Sequence, residues 1–278
     1  MIFLLLAIFS SSMISILMRV SSDKVSANLS MVATNYLVCS MLGAAYAGFE
    51  LVVPKVPGFS LTIWLGLISG VLYLTSLVLF QINTRRHGIV LSSVFMKLGL
   101  LVPIVMSVLF FREMPTASQA AGFCLAVFAI VMINLKSDGR QTGFGIGLII
   151  MLLLSGGADV MAKVFDVFAP GSLSSLYLFY TFATACVLCL GLVLYQKERP
   201  GFRELLYGVL IGIPNFFSAK FLLGALTKLP AVVVYPSFSV ATMLIVTIVG
   251  VAVFRERLSK IQWIALAVII GALILLNL

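Results

Sequence analysis

Apolar stretches about twenty residues long recur along the whole chain, separated by short breaks where charge, proline and glycine gather. Cutting at those breaks leaves ten segments, approximately 1–19, 31–49, 61–82, 88–110, 117–135, 144–167, 172–195, 204–227, 231–254 and 261–278. A helix needs about 20 residues to cross a hydrocarbon layer about 30 Å thick. Each segment therefore predicts one membrane-spanning helix. The breaks "ELVVPKVPGFS", "KSDGRQTG" and "YQKERPGFRE" join turn formers to charge and set the clearest boundaries. No segment is left over for a soluble domain. The opening "MIFLLLAIFSSSMISILM" has no basic lead-in and no small-residue cleavage pattern, so it reads as a first span rather than a removed signal.

The two halves repeat each other. Phe111–Glu113 ("FRE") recurs as Phe254–Glu256, 143 residues later, with Gln119 against Gln262 at the same offset. Gly66 and Gly70 match Gly208 and Gly212 at 142, and Arg19-Val20 match Lys163-Val164 at 144. Such an ordered series predicts a duplicated unit, 1–136 and 143–278. Five spans is an odd number, so the second copy enters the membrane from the opposite side. The fold class expected is an all-α integral membrane protein with ten transmembrane helices as two inverted five-helix repeats. Architectures of this kind place a site near the midplane and adopt inward- and outward-open shapes of similar energy.

Composition agrees with the pattern. The chain is 62% hydrophobic and 10% charged, with a mean hydropathy of +1.21, whereas a soluble domain carries about 25% charge. The net charge of +9 is spread over short breaks without a run of like charges, which argues against nucleic acid as a partner. Cys39, Cys124, Cys186 and Cys189 all lie within apolar runs. The C-x-x-C of Cys186 and Cys189 has no second pair or histidine cluster beside it, so it reads as small buried residues; no metal and no cofactor is expected.

Charge inside the spans carries the candidate chemistry. Lys97, Asp159, Lys163 and Lys220 fall within apolar segments, where a charged residue at a helix centre costs about 2.5–3.5 kcal/mol on insertion scales and so turns toward protein or water. Lys163 is near a span end and is expected to reach the interface, as is its repeat mate Arg19. Asp159 precedes Lys163 by four residues, so the two share a helical face, and pairing competes evenly with a substrate or proton site. Lys97 and Lys220 have no charged counterpart in the other copy, facing Val240 and Val78, so the scaffold does not demand them. Pro103, Pro214 and Pro236 withdraw backbone hydrogen bonds inside spans. Near them stand Asn215, Ser218, Tyr235, Ser237 and Ser239, with Tyr73, Gln81, Asn83, Ser92 and Ser93 in the first half. The substrate-binding set expected is Lys97, Asp159, Lys220, Asn215, Tyr235, Tyr73 and Ser93. The glycine pairs are assigned to close helix packing, and Glu113 and Glu256 to structure at helix ends.

A duplicated ten-helix chain with an acidic residue after the fourth and ninth spans, in "FREMPTASQAAG" and "FRERLSKIQWIA", resembles the drug/metabolite transporter superfamily, in particular its EamA-type members. Glu113/Gln119 and Glu256/Gln262 carry the likeness, which runs along essentially the whole chain; the first helix departs from it, with "FSSSMIS" where a tryptophan-glycine pair is common. The resemblance implies a central cavity between the two repeats, built from the first, third, fourth, sixth, eighth and ninth helices, three of which hold Lys97, Asp159 and Lys220. The reading that follows is a secondary transporter, or permease, of the cell membrane, moving a small polar or zwitterionic metabolite or drug by alternating access. Its partners would be that substrate, a coupling proton or sodium ion, the lipid bilayer and, as a candidate assembly, a second copy in a homodimer. The alternatives are a membrane-embedded enzyme, for which no nucleophile–base pair, metal cluster or paired carboxylates stand in the sequence, and a non-transporting structural subunit, which leaves the lysines without a reason. Orientation divides two lines of reasoning. Twelve of the fifteen loop lysines and arginines lie in the odd-numbered breaks, which places both termini outside, whereas the resemblance implies termini inside.

Overall fold

The structure is a computed structural model of the chain, describing residues 1–21, 24–48, 57–87, 89–134, 146–254 and 260–276. Arg255, Glu256 and Arg257 lie outside the described residues, as do the side chains of Gln81, His87 and Ser93. Helices α1 (Ile2–Ser21), α2 (Asn28–Ala47), α3 (Phe59–His87), α4 (Ile89–Leu98), α5 (Leu101–Phe111), α6 (Ala117–Asn134), α7 (Ile146–Phe168), α8 (Ser174–Gln196), α9 (Phe202–Leu226), α10 (Ala231–Ala252) and α11 (Lys260–Leu276) follow in order. Among the described residues seven helical segments are long and apolar enough to cross a membrane, and shorter apolar helices within 95–111, 117–132 and 267–276 stand where the remaining three spans are expected.

The fourth span differs from its expectation. It is two helices, α4 and α5, with a turn at Gly99 and Leu100. The cause is local. Pro103 lacks the N–H that would close onto the Gly99 carbonyl, and that carbonyl accepts instead from the Val102 N–H at 3.0 Å. The Gly99 and Leu100 N–H groups likewise fold back to Met96 and Lys97 carbonyls at 3.2 and 3.4 Å. Pro103 thus opens α5 rather than kinking a continuous span, whereas Pro214 and Pro236 stay inside unbroken helices.

Contacts divide the chain into two compact units. One comprises residues 1–74 and 161–228, the other 75–160 and 229–278. Each unit draws on both sequence halves, and α3 and α7 contribute to both.

In the first unit, glycines set how closely helices approach. A Cβ on Gly66 would lie 2.7 Å from Tyr180 Cβ and 3.0 Å from the Tyr177 carbonyl, and one on Gly70 would lie 2.7 Å from Thr184 Cβ, all on α8. Their repeat mates press on α2: Gly208 toward the Met31 carbonyl (2.8 Å) and Gly212 toward the Asn35 carbonyl (2.9 Å). In the repeat expected from the sequence α3 corresponds to α9 and α8 to α2, and the two pairs make corresponding contacts. Helix directions agree. Ascending residues of α3 meet ascending residues of α8, and α9 runs with α2 in the same way. By contrast α1 opposes α9, with Phe3 beside Gly224 and the Ala7 carbonyl accepting from Ser218 Oγ.

The second unit is joined by polar clamps. Asn83 Nδ2 on α3 donates to the Gly147 carbonyl at the start of α7, 2.9 Å away. After α5, Arg112 takes a left-handed backbone (φ 55°), and the next residue, Glu113, turns its carboxylate onto Ser107 Oγ and the Ala231 N–H (2.8 Å to the latter). Ala231 opens α10, whose first N–H groups have no partner within the helix and carry the positive end of its dipole. The structural role expected of Glu113 is therefore a cap on a helix far away in sequence. Glu113→Ala is expected to lower stability by about 1–2 kcal/mol, read as an earlier unfolding midpoint of the detergent-solubilised protein.

Candidate polar site in the second unit

The α4–α5 turn rests on α7. A Cβ on Gly99 would lie 3.1 Å from Ser155 Oγ and 3.2 Å from the Gly156 N–H nitrogen, and a Cβ on Gly156 would meet the Gly99 carbonyl and lie 2.6 Å from Val102 Cβ. The glycines of "SGGADVMAKV" let the broken helix touch the α7 backbone. That contact stations Lys97, in the last turn of α4, near Asp159, almost one turn beyond Gly156. The carbonyl end of α4 favours a cation there. Lys97 and Asp159 act on each other as opposite charges, yet among the described residues they form no ion pair and neither side chain makes a hydrogen bond.

Asp159 is exceptional in this. Among the described residues the other carboxylates are all engaged. Glu113 caps α10; Asp166 pairs with Lys163; Glu198 accepts from the Ser30 N–H and Oγ at 2.9 Å each; Glu204 accepts from the Ser26 and Gly201 N–H groups at 3.1 and 3.0 Å. Tyr235, buried on α10, fixes the α7 backbone at the same residue: its hydroxyl donates to the Asp159 carbonyl at 2.7 Å, leaving the carboxylate untouched. Farther along α10, the Ser237 and Thr242 hydroxyls are buried without a hydrogen-bond partner, an arrangement that native interiors seldom leave unexplained. Half-buried Asp159, accessible Lys97 and these hydroxyls place polar groups in a span that lipid alone would not favour.

The structure corrects one expectation and bears on one open alternative. Lys163 does not reach the interface: α7 continues to Phe168, and Lys163 is only 4% exposed. Nor does it pair with Asp159, because it faces Asp166, three residues on, at 3.2 Å.

Of the remaining candidates, Asn215, Tyr73 and Lys220 lie in the first unit and Ser93 in the second. Asn215 Nδ2 on α9 donates to Asn35 Oδ1 on α2 (3.1 Å), so this pair of carboxamides joins two spans. Tyr73 tilts toward Phe182, with ring centroids 6.4 Å apart. Lys220 lies over the ring of Tyr46. The Cys186 and Cys189 thiols are free and donate weakly to the Ala33 and Leu29 carbonyls of α2. Ser93 is placed on α4, with its side chain outside the described residues. Hydropathy gave no cue to Asn35, Tyr46 or Asp166; their partners come from other helices or from the next helical turn.

Residues 143–278 match the EamA-like transporter family. A protein of Haemophilus influenzae (strain ATCC 51907 / DSM 11121 / KW20 / Rd), described only as uncharacterized, is 25% identical over 97% of this chain and 95% of its own. A solved crystal structure superposes with a TM-score of 0.72 at 17% identity, covering 99% of this chain and 94% of the other; that likeness concerns the fold.

Proposed function

We propose that this chain, of which residues 143–278 match the EamA-like transporter family, is a secondary transporter working by alternating access on a small zwitterionic metabolite. The observation that carries the substrate class is the pair of accessible Lys97 and half-buried Asp159, which no ion pair joins among the described residues. An ammonium and a carboxylate that act on each other without touching offer a carboxylate partner and an amine partner across one gap. A zwitterion entering it pairs both charges and adds none. A singly charged solute leaves one charge in the span without a partner, which is the costly outcome for a buried ion. The α4–α5 break contributes polar backbone beside the gap, as discontinuous helices do at transporter sites. Tyr235 holds the Asp159 segment of α7 in place through its carbonyl. A coupling proton or sodium ion would share the Asp159 carboxylate.

The family match points to transport rather than catalysis. A thermal-unfolding screen of the purified protein against amino acids, simple amines and phosphorylated metabolites tests the substrate class, since a ligand of the folded state raises the midpoint. Zwitterionic amino acids are expected to raise it, and Lys97→Met or Asp159→Asn to remove the response. A response confined to phosphorylated metabolites, or unchanged in Asp159→Asn, would reject the zwitterion reading.

A further inference from the structure

Lys220 differs from Lys97 in what surrounds its charge. Its Nζ lies 3.3 Å from the centroid of the Tyr46 ring and 5.8 Å from that of Phe216. Tyr46 stacks on Phe216 (centroids 5.6 Å apart) and meets Phe217 edge-on at 6.1 Å, and Phe217 stacks on Phe221 at 5.8 Å. Among the described residues no carboxylate pairs with Lys220 and no hydrogen bond engages its ammonium. Among those residues the charge is held by aromatic faces.

Interface-seeking is the ordinary explanation of a lysine in a span, and here the charge has an aromatic seat as well. The end of α9 closest to Lys220 is its C-terminus, Leu226. The ammonium instead folds back over Phe216, one turn toward the N-terminus. At 1.5 Å per residue, Phe216 is about 15 Å from Leu226 and about 21 Å from Phe202. Tyr46 stands one residue before the end of α2, so the Lys220 charge lies beside the last turn of that helix, seated on a ring. A ring face compensates a cation only partly, and it blocks one side of the ammonium. The other N–H groups remain to donate.

We propose that Lys220 and Tyr46 form an anion subsite in the first unit, taking a single carboxylate carried on an apolar body. One ammonium neutralises one negative charge. A phosphate dianion would leave surplus charge in the span, since no second cation faces this one among the described contacts. The rings of Phe216, Phe217 and Phe221 provide apolar contact for the body of the ligand, and their positively polarised edges tolerate the carboxylate. This subsite stands on different residues from the Lys97–Asp159 pair and does not depend on it.

Benzoate binding to the purified full-length protein, by calorimetry against chloride at equal ionic strength, is the test. Saturable binding is expected in the wild type and in Lys220→Arg, which keeps the charge. Lys220→Met and Tyr46→Leu are expected to weaken it about tenfold or more, the effect of losing a charge-assisted contact. Lys97→Met should bind benzoate as the wild type does, so this subsite and the zwitterion site can fail separately. Benzoate affinity unchanged in Lys220→Met, lost in Lys97→Met, or matched by chloride overturns the proposal.

Discussion

Uptake by the reconstituted protein is expected to fall about ten- to a hundredfold in Lys97→Met and in Asp159→Asn, the range for removing a charge-assisted hydrogen bond to a bound substrate. Stability and transport should then separate. Each single variant leaves the other charge in the span without its counter-charge, and an unpaired ion there is unfavourable by about 2.5–3.5 kcal/mol on insertion scales. The double variant Lys97→Met/Asp159→Asn removes both charges, so it should unfold later than either single variant while transporting no better. That non-additive pattern is what two coupled charges predict. Full uptake in the double variant would remove both residues from the site; additive destabilisation would mean that they do not act on each other.

The second large effect is steric. Gly156→Ala places a methyl against the Gly99 carbonyl and 2.6 Å from Val102 Cβ, where the obstacles are backbone and a branch point rather than a flexible chain end. Overpacking of this kind costs about 1–3 kcal/mol and sometimes more. Relief requires the α4–α5 turn to back away from α7, which also moves Lys97 from Asp159. Gly156→Ala should therefore both unfold earlier and transport poorly. Gly191→Ala, on α8 with nothing within 4 Å of the added methyl, is the control. It should be neutral, or stabilising by up to about 1 kcal/mol through helix propensity. Equal midpoints for the two variants would show that the glycine contact does not set the distance between α4–α5 and α7.

The lysines show where reading a linear chain stops. Lys97, Lys163 and Lys220 look alike in hydropathy, each a cation in an apolar run. In the folded chain Lys163 is paired with Asp166, Lys97 faces Asp159 without contact, and Lys220 lies on an aromatic ring. Only the first of these partners is a near neighbour in sequence. The helix break was half legible: Gly99 and Pro103 stand at the spacing where a proline removes the glycine's hydrogen bond, yet the same proline inside a packed helix, as at Pro214 and Pro236, leaves the helix continuous. What differs is that at Gly99 the backbone groups close a tight turn among themselves, and the α7 glycine leaves room for it.

Sequence alone determined the helical class and the approximate limits of the long apolar helices, because a hydrocarbon layer imposes one length and one polarity on every crossing segment. Tertiary structure decided which charges meet, which glycines are contacts rather than spacers, and that Glu113 caps a helix more than a hundred residues away. Those outcomes depend on distances between segments remote in the chain, and hydropathy, which scores each residue against lipid, contains no term for one span against another.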